Sequence, residues 1–216
     1  MLTKNDSKTY VSILGDGSLR VQVQEGTPDA VRREFEKSDG TKGVKHELVY
    51  DALSGKITNV SFFEGDYGKL LQVKITDKGS SVYLSLSTSL NFGEDLMKKL
   101  PNINLDEDVK LVPYSFEDDN GKTKKGITVY QNKEKVKNFF FDADNKKNIN
   151  GYPDPEGDIG KYDSDDWKLY FISARKFLVE YTEKNCKVFN SEEPTVEETP
   201  ATSEAADDVN PNEIPF

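Results

Sequence analysis

Cysteine and histidine are almost missing from this 216-residue chain, which has only Cys186 and His46. A single cysteine permits no disulfide framework, and together the two residues cannot form a thiolate and imidazole set for zinc. His46 has no Ser or Cys partner at a recognisable spacing, and no Gly-rich loop of the P-loop kind occurs. Triad nucleophiles and P-loop phosphate chemistry therefore find no support. Long apolar runs are absent too. Nowhere do about 18 apolar residues follow one another, and Met1 to Tyr10 lacks the apolar centre of a signal peptide. We expect a soluble chain in a reducing cytoplasm, with no cofactor and no membrane partner.

Basic residues are missing from one stretch only. Ser191 to Phe216 has no lysine or arginine, but it carries eight acidic residues and Pro194, Pro200, Pro211 and Pro215. Such a composition buries too little apolar surface to offset the entropy of ordering, so a disordered acidic tether is expected over 191–216. The tether accounts for most of the formal charge of −10, because setting its eight acids aside leaves 29 basic against 31 acidic residues, a net of −2. Any nucleic-acid site on such a body must be a local patch helped by stacking. The remaining 190 residues suffice for one domain with a real core.

Periodicity gives the order of elements. Tyr10–Leu14 and Ser18–Val23 alternate around Gly15-Asp16-Gly17, a hairpin signal. Thr27-Pro28 fits a helix start, while Arg32, Arg33 and Phe35 before Ser38-Asp39-Gly40 fit a strand paired with Val44–Tyr50; we read the strand. From Leu53 the pattern is regular, with strands at Lys56–Phe63, Lys69–Thr76 and Ser81–Ser87 separated by Gly-containing turns. Leu71, Val73 and Ile75 share one face in the second of these, and Val82, Leu84 and Leu86 oppose Tyr83 and Ser85 in the third. Phe92, Leu96, Met97 and Leu100 recur at helical spacing before Pro101. Strands return at Val109–Phe116 and Gly126–Gln131 around a polar loop, Glu117–Lys125, and Lys133–Phe141 reads as a further strand. Asn145–Lys161 reads as a long loop. Asp163–Tyr181 reads as a helix capped by Asp163, with Trp167, Phe171, Ala174, Leu178 and Tyr181 on one stripe.

Three strands, a helix and two strands is the order of an OB-fold. The expected fold is therefore mainly β: an OB-fold-like five-stranded barrel over about 53–141. Extra N-terminal hairpins precede it over about 1–52, and a loop and C-terminal helix follow over about 142–190. One such domain, 1–190, would carry the tail.

The tail has a distinct tip. Asp207 and Asp208 precede Val209-Asn210-Pro211-Asn212-Glu213, and Ile214-Pro215-Phe216 follows. Here the sequence resembles the bacterial single-stranded-DNA-binding proteins and their phage counterparts, whose acidic tails end in several Asp followed by Ile-Pro-Phe; this chain interrupts that acidic run. The resemblance implies a non-enzymatic protein of phage or mobile-element type that protects unpaired DNA during replication, recombination and repair. It also implies that Asp207, Asp208, Glu213, Ile214, Pro215 and Phe216 recruit other replication or recombination proteins, an aromatic tip suiting a basic-rimmed apolar pocket.

Binding unpaired bases needs flat side chains beside cations that follow the phosphates. The candidates are Tyr67 in the first turn, Lys74 and Tyr83 on the middle strands, Lys122, Lys124 and Lys125 in the late loop, and Tyr130. Lys135, Lys137 and Phe139, on one face of the expected last strand beside Lys133, complete the set. For each aromatic the competing assignment is ordinary core packing. Two other function classes fit less of the chain. One is a protein-interaction module with a DNA-mimicking tail. The other is a metal-dependent nuclease using Asp154, Glu156 and Asp158, or Asp163, Asp165 and Asp166, which turns and a helix cap explain more simply.

Overall fold

The computed structural model describes residues 8–37, 40–65 and 68–186. Tyr67 lies outside them, as do Ser38 and Asp39 of an expected turn. So does the stretch 187–216, and with it Asp207, Asp208, Glu213, Ile214, Pro215 and Phe216.

Two hairpins open the fold. The first joins β1 (Thr9–Ile13) to β2 (Leu19–Val23), and the second joins β3 (Val31–Glu36) to β4 (Lys42–Tyr50), so the 31–36 run is a strand as read. A meander follows: β5 (Leu53–Gly65), β6 (Gly68–Asp77) and β7 (Ser80–Ser87). Next come α1 (Asn91–Lys99), β8 (Asp108–Glu117), β9 (Thr123–Gln131) and the short β10 (Glu134–Lys135). A two-stranded ribbon of β11 (Phe141–Asp142) and β12 (Lys147–Asn148) leads to the long α2 (Ser164–Asn185).

One ten-stranded sheet collects these strands in the order β10-β9-β8-β5-β6-β7-β1-β2-β4-β3. The protein is thus mainly β, with a large sheet and two helices. Among the described residues all pairings are antiparallel except one, in which Thr9, Tyr10 and Val11 of β1 run parallel to Val82, Tyr83 and Leu84 of β7. The pairings among the described residues do not join β7 to β9 as a closed five-stranded barrel would; the far edge of β7 is taken by β1. The sheet nevertheless curls. A Cβ on Gly17, in the β1–β2 turn, would lie 2.9 Å from the backbone of Tyr114 and Ser115 on β8. Its φ of +83° adds a second reason for glycine there.

Alternation decides which face is core. Leu71, Val73 and Ile75 of β6, Leu84 and Leu86 of β7, Val109 and Leu111 of β8, and Ile127 and Val129 of β9 are all buried. Leu96 and Met97 cover them from α1, and each such side chain contributes roughly 1.5–3 kcal/mol by leaving water. Asp95 fixes α1 to β9, its carboxylate accepting from the Ile127 N–H at 2.7 Å and from Lys99 at 2.7 Å. Glu94, nearly buried, accepts from Lys98 at 2.6 Å and from Arg175 of α2 at 3.3 Å. Asp163 caps α2, as the sequence reads, and Asp166 completes a capping box; of the expected stripe Ala174 and Leu178 are buried, together with Thr182, whereas Trp167, Phe171 and Tyr181 are only half-buried.

Two expected boundaries are corrected. Lys124 and Lys125 are in β9, opposite Phe116 and Ser115, rather than in a loop. The turn is tighter than its polar composition suggests because the Asp118 carboxylate accepts from the N–H groups of Asn120 at 3.0 Å and Lys122 at 2.9 Å. The second correction is that Lys133–Phe141 is not a strand. Asn132 and Lys133 take φ of 52° and 67°, making a tight turn, and only Glu134 and Lys135 pair with β9. Beyond them the Phe139 N–H donates to the Lys98 carbonyl at 2.8 Å, and Phe140 is buried among aromatic rings. Lys135, Lys137, Phe139 and Phe141 therefore do not share a strand face.

Candidate functional site

Residues directly opposite in a ladder share a sheet face, so register shows which side chains meet. On β6 and β7, Lys74 lies opposite Tyr83, and Tyr83 lies opposite Tyr10 of β1. Asn59 of β5 is opposite Lys74 on the other side. The contacts agree. The Tyr10 and Tyr83 rings are 5.6 Å apart between centroids, and the Lys74 and Lys8 ammonium groups lie 5.7 Å and 5.8 Å from the centre of the Tyr83 ring. Tyr10 remains 39% exposed, and Tyr83 is half-buried.

The same face continues with small polar groups before it reaches Phe63 opposite Leu70. Ser61, Gln72 and Ser85 form one row across β5, β6 and β7, and Thr58, Thr76 and Ser81 form a chain of hydroxyl contacts at 3.0 and 2.9 Å. Two tyrosines and two cations on a floor of small polar groups can take a planar ring and an adjoining anion. Burial pushes the Cys186 thiol up to about 11, so it stays protonated at neutral pH. Among the described residues no three His, Cys, Asp or Glu side chains gather as a metal site would require.

A second patch lies on β8 and β9. Phe116, 55% exposed, sits opposite Lys124 with its ring centroid 5.7 Å from that of Tyr114. Tyr130 lies opposite Lys110 on one side and Lys135 on the other. Lys124 also pairs with Asp118 at 3.7 Å, and Lys122 ends the preceding turn.

The structure therefore joins Lys74 to Tyr83, and Tyr130 to Lys135, in two separate places. It does not bring Lys137 or Phe139 to either. Lys137 is exposed beyond β10 with its carbonyl accepting from Asn102 at 3.0 Å. Phe139 packs its ring against Phe140 and Tyr181 at 5.1 and 5.8 Å, which is the packing role weighed for each aromatic. Sequence reasoning missed Tyr10, Lys8, Tyr114 and Phe116. The signal for Tyr10 was its alternation with Val11, which sets it on the face away from the core.

Beyond β1 the same face reaches a buried carboxylate. Glu47 of β4, its side chain only 4% exposed, accepts from Arg33 Nε at 2.8 Å and Nη2 at 2.7 Å, with Arg20 Nη1 at 3.6 Å. The hydrogen bonds from Arg33 hold its pKa below the usual value; burial works against them, and the charges of Arg33, Arg20 and Lys45 reinforce them. A carboxyl depressed in the folded state stabilises fully above its unfolded value of about 4.3, and that stabilisation is lost as pH falls through the folded value. Glu47→Gln is expected to cost about 1.5–3 kcal/mol at pH 7, the worth of hydrogen bonds to a charged group. The difference from wild type should shrink below about pH 4, and urea midpoints measured at both pH values check it.

Compared with known proteins, the chain matches no family model, no curated protein and no solved structure.

Proposed function

We propose that this chain is a non-enzymatic, single-stranded-DNA-binding protein that holds unpaired strands with little sequence preference. The observation that carries the reading is the Lys74, Tyr83, Tyr10 and Lys8 group, brought onto one solvent-facing side of the sheet and into mutual contact. Aromatic faces take any base, and the ammonium groups follow the phosphates, so sequence tolerance is inherent in the chemistry. We read β5 to β9 as an OB-fold core, since their order β9-β8-β5-β6-β7 with α1 between the third and fourth of them is that fold's arrangement. The Lys74 and Tyr83 face then falls on its second and third strands, where such folds take oligonucleotides. The β8–β9 patch of Phe116 and Lys124 would flank it. The acidic 191–216 stretch, by its resemblance to single-stranded-DNA-binding proteins, would recruit replication or recombination partners.

Titrating the full chain into labelled oligothymidine dT20 at low and rising salt tests this. Binding should weaken linearly in log–log form, and Lys74→Ala should flatten the slope by up to about 0.7 for a lost phosphate contact. A chain that leaves dT20 free even at low ionic strength is not a single-strand binder, and the protein-interaction reading would then take its place.

A further inference from the structure

The face described above does not end at β1. Ser12 of β1, two residues from Tyr10, lies opposite Arg20 of β2, and Arg20 lies opposite Val49 of β4. Glu47, two residues from Val49, is opposite both Gln22 of β2 and Val31 of β3. Lys45 is opposite Arg33, and Gly43 is opposite Phe35. Strand by strand, register therefore places Phe35, Arg33, Lys45 and Arg20 on the same side of the sheet as Tyr10, Tyr83 and Lys74.

At the far end of this face an aromatic and a cation meet again. The Lys45 ammonium lies 4.9 Å from the centre of the Phe35 ring. That ring rests on the backbone of Gly43, where any Cβ would collide with it. A shallow groove of about 430 Å³ runs past this strand edge, lined by Glu34, Phe35, Glu36, Lys42, Gly43 and Val44, and Lys45 and Arg33 stand outside it. Arg33 is held in place by its two bonds to Glu47, whose single charge is matched by Arg33 and Arg20 together. The acids of β3, Glu34 and Glu36, alternate to the opposite side. Lys45, Arg33 and a flat ring thus share one side of this hairpin, while Glu34 and Glu36 lie on the other, paired with Arg32 at 2.6 Å and Lys42 at 3.8 Å.

We propose that Phe35 with Lys45 and Arg33 forms a second base-stacking site, and that one single strand crosses the sheet from Tyr83 to Phe35. The proposal rests on the single-strand reading above and gives the N-terminal hairpins a role in it. From β7 to β3 there are four strand spacings, about 19 Å at ~4.8 Å each. Only an oligonucleotide of several residues can engage both sites, and length becomes the discriminating variable. The alternative role for Phe35 is simply to cover the glycine opposite it, as aromatics do on edge strands.

The test is a length series of labelled oligothymidines, dT4 to dT24, against the full chain, Phe35→Leu/Lys45→Ala and Tyr83→Ala. Leucine keeps an apolar cover over Gly43 but removes the flat ring, and unchanged thermal unfolding would show that the fold is retained. The expected result is that the Phe35→Leu/Lys45→Ala variant binds dT4 like wild type but loses about 5- to 150-fold on dT20, the worth of one stacked base. Tyr83→Ala should weaken both lengths. Wild-type affinity of that variant for dT20, with Tyr83→Ala impaired, would overturn the second site and leave the first intact. Failure of the wild-type chain to bind dT20 would overturn both.

Discussion

Tyr83→Ala is expected to weaken the binding of oligothymidine by about 5- to 150-fold, corresponding to roughly 1–3 kcal/mol for the loss of one stacking surface. Tyr83 is singled out because three other groups converge on it: Tyr10 from β1, Lys74 from β6 and Lys8. Removing its ring removes the surface on which a base would lie and also leaves the two ammonium groups without the face that gathers them. Tyr83→Phe keeps the ring and should retain most of the affinity, because stacking uses the π-face rather than the hydroxyl. Tyr10→Ala added to Tyr83→Ala should lose further affinity if the rings hold two bases, and little more if they share one. The double variant should still unfold cooperatively, since neither ring is in the core. The measurement is fluorescence anisotropy on dT20 at fixed salt. Equal affinity of wild type and Tyr83→Ala would remove this face from consideration and direct attention to Phe116 and Lys124 on β8 and β9.

Much of this arrangement was legible in the chain, and the exceptions come from contacts distant in sequence. Leu71, Val73 and Ile75 alternate so cleanly with Leu70, Gln72 and Lys74 that the buried and open sides of β6 follow from the pleat alone. The same holds for Tyr83 and Ser85 on β7, and Asp163 announced the start of α2. Tyr10 was missed because its place is set by a long-range pairing. Its partner Tyr83 lies far along the chain in the one parallel pairing, and no local pattern encodes a register between strands that are not neighbours in sequence. Phe35 escaped for the same reason, since only the β2–β4–β3 ladders connect it to that face. Lys133–Phe141 failed in the opposite direction. Its alternation of lysines with apolar residues imitates a strand, but two left-handed residues turn the chain after β9, and the demand for a ring in the core then pulls Phe140 inward. Long-range packing overrode a local period.

That pull makes Phe140→Ala the substitution with the largest expected effect on stability. The side chain is 1% exposed and meets four rings: Phe139, Tyr152, Phe177 and Tyr181, at centroid distances of 5.1, 5.7, 5.5 and 4.9 Å. Phe177 and Tyr181 belong to α2, while Phe139 and Tyr152 belong to the segment that follows the sheet. Phe140 therefore links the helix to the body, and Leu178 is buried beside it in the same core. Deleting a ring from such a site loses its transfer energy and leaves a cavity, together about 3–5 kcal/mol. Phe140→Leu, which fills part of the space, should cost less. The charged links from Arg175 to the nearly buried Glu94 and from Lys69 to Glu183, the latter at 2.7 Å, remain in the variant, but the Lys69–Glu183 pair is at the surface and contributes no more than about 1 kcal/mol, and neither link refills the cavity. The damage should fall first on α2. Hydrogen exchange over Ser164–Asn185 is therefore expected to accelerate more than exchange in β6 and β7, while dT20 affinity holds at temperatures where the sheet stays folded. Uniform acceleration through the sheet would instead mean that helix and sheet unfold as one unit, with Phe140 serving the whole core.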